Sequence, residues 1–333
     1  MKYTGKIIVL AFPDAFVRMS DEFMCKVLPL LGIGTRTHVK AGHAALVLVE
    51  NETGNAYYYD FGRYVTPTGN GRVRGANTDA ELEIPFKAVI SNNKFENLDE
   101  FLLWLTAHPE KTHGSGRLVA SVCEDINFEL AASYIESLQS QGSVPYKAFG
   151  SVGSNCSRFV TETILSATDN SSIKRYLAFN KKFTPSTVGN VEKSASSQVY
   201  QVMNGVIKEY DSTALRENLT NYFDKNVPES SKQTIVAKNI PEKAQLLTGI
   251  GSNAYFMLEK VEGKLLVTRF AENGEQDFQG IALLPEGFTI EDSYKFVHDS
   301  NCLYCTLEQS GVTYRLELSR KIDVNSVQKV RSA

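Results

Sequence analysis

Apolar positions along the chain alternate between β-type and helical spacing, and the last third is almost purely β-patterned. Residues 6 to 12 carry an unbroken apolar run, Ile7 to Phe12, that predicts a buried strand. Between 19 and 31, Phe23, Val27, Leu28 and Leu31 recur at helical spacing, and Gly32 and Gly34 end the pattern. His43–Val49 and Ala56–Phe61 are β-rich runs around Asn51-Glu-Thr-Gly-Asn55, where Asn and Gly tolerate positive φ, so they read as a hairpin. Val65 to Asp79 is rich in Gly, Thr and Asn and reads as a long loop carrying Arg72 and Arg74. Its glycines do not match a phosphate-binding fingerprint. Leu82 to Val89 predicts a further strand.

Asn97 opens a helix to Thr106, with Leu98, Phe101, Leu102 and Leu105 on one face and Pro109 beyond its end. Leu118–Cys123 reads as a strand and Asn127–Gln139 as a helix closed by Gly142. After the loop Val144–Ser154, Asn155 caps a helix to about Ala167, with Phe159, Val160, Ile164 and Leu165 as its buried face. Thr184 to Ser197 turns to Thr, Ser, Asn, Gly and Pro, the composition of a linker. A short helix near Ala214–Phe223 and a poorly apolar stretch, Asp224–Lys232, follow. Further on, Ser252 through Gly263 to Phe270 aligns with Ser300 through Gly311 to Leu318, each being strand, turn, strand. Two copies are too few for a propeller, so paired hairpins in an antiparallel sheet or sandwich are expected. The fold class is α+β: residues 1–183 form an antiparallel sheet with helices, 184–232 a linker with a short helix, and 233–333 a β-rich domain.

Composition refines this. A chain of 333 residues suits two domains, and 42% hydrophobic, 10% aromatic and 22% charged residues are ordinary for a globular protein. A net charge of -3 offers no excess of positive charge, so neither a nucleic acid nor an anionic membrane surface is an expected partner. The first apolar run is too short to span a membrane and lacks a small-residue cleavage site, so a cytoplasmic protein without stable membrane insertion is expected. Cys25, Cys123, Cys156, Cys302 and Cys305 form no even framework, which fits free thiols in a reducing compartment. Cys302 and Cys305 have redox or zinc spacing, but no second pair completes a metal site, and strand alternation would turn them to opposite faces. No cofactor and no metal is expected.

Two distant motifs carry chemistry: Gly42-His43-Ala44 opening a strand and Asn155-Cys156-Ser157-Arg158-Phe159-Val160 opening a helix. At a helix start, free N–H groups and the dipole favour thiolate over thiol, although a buried Cys there can equally be a packing residue. His43 has apolar neighbours on both faces of its strand and needs a polar partner, which a structural histidine would also find. His38, His108, His113 and His298 are weaker candidates. Together His43 and Cys156 are the two parts of an activated thiol nucleophile. Across the hairpin, Asp60 falls within about one residue of register from His43 and is the candidate third group, with Tyr58 and Glu124 as substitutes. Asn155, Tyr58, Arg72 and Arg74 are the candidate substrate-binding residues.

A histidine on an early strand, a polar residue on the next and a later Asn-Cys-x-x-Phe-Val helix resemble the circularly permuted papain-like fold. Permuted NlpC/P60 proteins and lecithin:retinol acyltransferase-like enzymes share that fold. The resemblance covers about residues 5 to 170. There His43 matches the general base, Cys156 the nucleophile and Asp60 approximately the third polar residue. Ser157-Arg158 departs from the residues common after the cysteine in acyltransferase-like members. The two-domain layout and missing export signal point to a bacterial branch.

The resemblance implies a cysteine hydrolase acting on an amide bond of a small peptide or acyl-amide substrate, through a Cys156 thioester with His43 as base. Competing readings are a non-catalytic binding module on a papain-like scaffold and a lipid acyltransferase or thioesterase. Oligomeric state is not legible in the sequence.

Overall fold

The N-terminal apolar run becomes strand β1 (Gly5–Phe12), buried along its whole length, in a computed structural model that describes residues 1–150, 152–182, 184–229, 239–261 and 264–320. The chain divides into two compact units. One holds Met1–Arg63, Thr68–Ala76 and Glu81–Gln233, the other Tyr64–Pro67, Asn77–Ala80 and Thr234–Ala333.

In the first unit, β1 is followed by β2 (His43–Glu50), β3 (Ala56–Gly62), β4 (Asn70–Gly75), helix α1 (Leu98–Ala107) and β5 (Leu118–Ile126). Then come α2 (Phe128–Ser140), β6 (Val144–Pro145), α3 (Cys156–Ala167), α4 (Ser171–Lys181), α5 (Thr187–Ser194), β7 (Tyr200–Met203), β8 (Val206–Glu209) and α6 (Ala214–Tyr222). The strands form one sheet in the order β6-β4-β3-β2-β1-β5-β7-β8, and every neighbouring pair is antiparallel. On one face Ile7, Val9, Leu46 and Leu48 pack with Phe159 and Ile164 of α3, Leu177 of α4 and Val188 and Val191 of α5. On the other, Ile8, Leu10, Val47 and Val49 pack with Phe101, Leu102 and Leu105 of α1. Both faces of β1 and β2 are therefore covered, which is why their sequences are apolar without alternation.

Several expectations change. The stretch 184–232, expected as a linker, belongs to this unit up to the limit of its described residues, since 230–238 lie outside them. Its polar residues have internal tasks: the Ser186 hydroxyl accepts from the Gly189 amide at 2.8 Å, capping α5. Asn190 donates to the Ser157 carbonyl at 2.8 Å and accepts from the Thr161 hydroxyl at 2.7 Å, tying α5 to α3. The loop expected over Val65–Asp79 contains β4, and its flanking segments Tyr64–Pro67 and Asn77–Ala80 enter the second unit. No strand forms over Leu82–Val89; a single 3-10 turn ends at Leu82, and Pro85 lacks the N–H that a ladder needs. The helix expected over 19–31 is only Phe23–Val27, tightening to a 3-10 turn at Pro29 and leaving Phe23 77% and Leu31 65% exposed.

Among its described residues the second unit is built from β-strands. Strands β9 (Gln245–Leu247), β10 (Ala254–Val261), β11 (Lys264–Ala271), β12 (Gln276–Ala282) and the terminal β16 (Ser319–Arg320) make one sheet in that order. Strands β13 (Lys295–Val297), β14 (Tyr304–Gln309) and β15 (Val312–Glu317) make another. Phe256 and Val267 of the first sheet share a core with Phe296 and Leu307 of the second. The repeat resolves as the hairpins β10–β11 and β14–β15 in different sheets; Gly263 lies outside the described residues. Arg269 is buried between the carboxylates of Asp79, at 3.3 Å, and Asp277, at 2.9 Å. Cys302 precedes β14 while Cys305 lies in it, and both are buried and outside any disulfide. Burial pushes the Cys305 thiol up, the opposite of what a redox nucleophile needs. Among the described residues no group of three or more His, Cys, Asp or Glu is arranged to hold a metal ion, and no helix is long and apolar enough to cross a membrane.

The tie between α5 and α3 yields a stability test. Asn190→Ala removes two buried hydrogen bonds while the Thr161 hydroxyl keeps the Ser157 carbonyl as acceptor at 2.9 Å, so the loss is that of the bonds themselves, about 0.5–1.5 kcal/mol each. Chemical denaturation of the full chain is expected to show a loss of about 1–3 kcal/mol.

Candidate active site

Gly42 has φ +75°, and a Cβ there would lie 2.8 Å from the Thr187 hydroxyl and 3.0 Å from the Phe12 carbonyl oxygen. Only glycine fits this entry into β2. The next residue, His43, opens the strand opposite Phe12 in register, and its ring stacks on Phe12 with centroids 6.4 Å apart. The imidazole is thus held at one end of the sheet with little freedom to turn.

Asp60 on β3 pairs in register with Ala45 rather than with His43. That offset is two residues, so Asp60 and His43 share a face, where a one-residue slip would have separated them. Asp60 Oδ2 lies 3.4 Å from His43 Nε2, an ion pair with loose hydrogen-bond geometry. Arg74 faces Asp60 across the β3–β4 ladder and binds it with both arms, Nε to Oδ1 at 3.0 Å and Nη2 to Oδ2 at 2.6 Å. The Tyr58 hydroxyl donates to Oδ2 at 3.1 Å. Asp60 is 0% exposed, and burial by itself disfavours its charge. The Arg74 guanidinium and the imidazole reverse this and hold the carboxyl well below the usual carboxylate range.

Cys156 is the first residue of α3. The Asn155 side chain caps that helix by accepting from the Arg158 amide at 2.9 Å, and its amide group donates to the Lys147 carbonyl at 2.8 Å. Burial pushes the Cys156 thiol up, but a hydrogen bond and positive charge from His43, and the backbone amides of Ala44 and Ser157, bring it below the ordinary thiol value. For His43, burial favours the neutral ring, while Asp60 and Cys156 hold the proton and raise its pKa to about 9. With Nε2 turned to Asp60, Nδ1 is the ring nitrogen left for the sulfur. Cys156, His43 and Asp60 thus form a charge relay in which each group favours the ionised form of the next.

The structure brings together the three residues expected to carry chemistry and gives other tasks to most of those expected to bind substrate. Asn155 is a helix cap, and Tyr58 and Arg74 are buried donors to Asp60, because each polar group has an internal partner within hydrogen-bond reach. Arg72 is likewise buried, on β4 opposite Gly62. Glu124, a substitute for Asp60, instead faces Lys6 Nζ at 3.4 Å. Sequence reasoning overlooked Tyr146, which follows β6 and stacks on Phe61 with centroids 6.0 Å apart. Burial and the nearby Cys156 sulfur push the Tyr146 hydroxyl up. A lone tyrosine in a loop carries no periodic signal that would have revealed it.

An α+β domain with a buried Cys-His-Asp constellation at one end of an antiparallel sheet is the class that fold and site define. Residues 7–173 match the type VI secretion system effector TseH-like family, and the chain belongs to that family. Residues 244–319 match the DUF6695 C-terminal domain. Among solved structures, the crystal structure of the type VI secretion system effector TseH is similar at 19% identity, over 62% of this chain and 98% of that chain, with a TM-score of 0.44. No curated protein matches.

The relay predicts a linked titration. Alkylation of Cys156 by iodoacetamide, followed by mass spectrometry of its peptide, is expected to titrate with a midpoint below the ordinary thiol value. Asp60→Asn removes the charge that holds the His43 proton, so the imidazole pKa falls from about 9 and the thiol midpoint rises. An unchanged midpoint in Asp60→Asn contradicts the relay. Arg74→Met strands a buried carboxylate and is expected to lower stability by about 3–5 kcal/mol in chemical denaturation.

Proposed function

We propose that this protein is a cysteine hydrolase that cleaves an amide bond in a peptide or acyl-amide substrate. The observation that carries this reading is the Cys156-His43-Asp60 arrangement, with the thiol lowered and the imidazole raised. Between those two values the pair rests as thiolate and imidazolium, a nucleophile and an acid in one site. The thiolate attacks the amide carbonyl carbon, and the negative oxygen takes a hydrogen bond from the Cys156 backbone N–H at the helix start. His43 passes its proton to the leaving nitrogen as the C–N bond breaks, giving a free amine and a thioester. Neutral His43 then takes a proton from water, the resulting hydroxide attacks the thioester, and the C–S bond breaks to release a carboxylic acid. Asp60 holds the ring in the tautomer this needs and stabilises its charge.

The order of the parts, histidine strand before cysteine helix, supports the permuted papain-like arrangement of NlpC/P60 type. Ser157-Arg158 beside the nucleophile favours that branch over the lipid acyltransferases. The description of the matched family further supports a role as a type VI secretion system effector, made in the cytoplasm and acting beyond it.

Cys156→Ala is expected to abolish amine release from a panel of peptide amides, with the thermal midpoint nearly unchanged. Unfolding of that variant would mean the thiol is a packing residue. In wild type, the rate should follow a bell-shaped pH profile whose alkaline limb lies near 9, where His43 loses its proton. Failure of Cys156 to react with a thiol probe at neutral pH, when the denatured chain does react, would favour the binding-module reading.

A further inference from the structure

Arg63 follows β3 directly, and its guanidinium lies over the Tyr146 ring, 4.6 Å from the centroid. Its Nη2 donates to the Arg18 carbonyl at 2.7 Å. It is only 8% exposed, yet among the described residues no carboxylate pairs with it. Arg74 and Arg269, somewhat more deeply buried, each have carboxylate partners. The Arg158 Nη2 is sealed from solvent without a partner, whereas no nitrogen of Arg63 is among the sealed, unpartnered atoms of the described residues. A nearly buried cation with free, planar donors and no counterion is set to receive an anion. Its position relative to the nucleophile follows from Tyr146. The Tyr146 backbone pairs with Ser154, two residues before Cys156, with the Ser154 amide donating to the Pro145 carbonyl at 3.0 Å, and Tyr146 packs against the apolar cluster that includes Cys156. The opposite influences of Cys156 and Arg63 on the Tyr146 hydroxyl accord with that placement.

We propose that Arg63, braced by Tyr146, is a carboxylate-binding subsite of the Cys156 centre, so that the substrate amide carries a carboxylate close to the bond attacked. The inference rests on the reading of Cys156 as a nucleophile and narrows its substrate to anionic amides. The guanidinium fork takes the carboxylate through two parallel N–H bonds, while Tyr146 and the Arg18 carbonyl keep the fork from turning.

Iodoacetate and iodoacetamide test this on the full chain, since both alkylate a thiolate by displacing iodide and differ in carrying a carboxylate or a neutral amide. The ratio of their rates at Cys156, read by mass spectrometry, is expected to fall about fivefold in Arg63→Gln, the scale of one screened charge pair near a surface. The iodoacetamide rate should stay within about twofold, because loss of the guanidinium removes an attraction that only the anionic reagent feels. Arg175→Gln, which removes an exposed arginine over Tyr176 on α4, should leave the ratio unchanged. A ratio unaltered in folded Arg63→Gln overturns the proposal. In unmodified protein, succinate should slow iodoacetamide alkylation of Cys156 while neutral succinamide does not. Equal effects of the two overturn the proposal even where Arg63→Gln fails to fold. If neither reagent modifies Cys156 faster than a free peptide thiol, it is the nucleophile reading that fails.

Discussion

The buried carboxylate of Asp60 and the arginine that clamps it set the condition for everything else at this site. An ionised carboxylate taken wholly out of water is unstable by several kcal/mol unless charge and hydrogen bonds replace the water. Arg74 supplies both through its two arms, and the Tyr58 hydroxyl adds a third donor. Because Asp60 stays charged, His43 can hold its proton, and because His43 holds its proton, Cys156 can lose one. The sequence of dependence runs from β4 through β3 to β2 and ends at the first residue of α3. The links within the sheet are matters of strand register, so the alignment of β2, β3 and β4 bears directly on the ionisation of the thiol.

Rigidity at the other two members comes from different sources. His43 is fixed by a glycine that lets the chain pass close to Phe12 and Thr187, and by the aromatic ring on which it stacks. Cys156 is fixed by Asn155, which caps the helix with one end of its amide and anchors the preceding loop with the other. Behind the nucleophile, α5 binds α3 through the wholly buried Asn190. A site built this way loses little entropy when it acts, because its side chains already occupy their working positions.

The second unit repeats the device of a buried arginine between carboxylates in Arg269, whose Nη1 also lies 3.9 Å from the Cys302 sulfur. Its Cys305 thiol is pushed toward the neutral form by burial, while the thiol of Cys156 is drawn toward the charged one. The contrast lies in the neighbours: amides and an imidazole surround one sulfur, whereas burial dominates at the other. That difference in surroundings distinguishes the two thiols more firmly than the spacing of cysteines along the chain.

Local signals in the chain were sufficient for β1, for the β2–β3 hairpin, for α1 and α2, and for α3 with its Asn155 cap, since apolar period, capping and turn chemistry act over a few residues. They also marked His43 and Cys156, because a lone imidazole in an apolar strand and a thiol at a helix start are unusual where they stand. The partner of Asp60 was not legible: Arg74 sits in a Gly- and Asn-rich stretch that resembles a loop until β3 lies beside it. For the same reason 184–197 read as a linker, its Ser and Asn residues appearing solvated when they are caps and buried ties. Tyr146 and Arg63 meet only because β6 pairs with β4 and carries the following loop back to the end of β3. What the sequence by itself determined was therefore those local elements and the identity of the candidate reactive groups. Tertiary structure decided which charges neutralise one another, because burial, register and contact between distant strands set ionisation, and none of these is a local property.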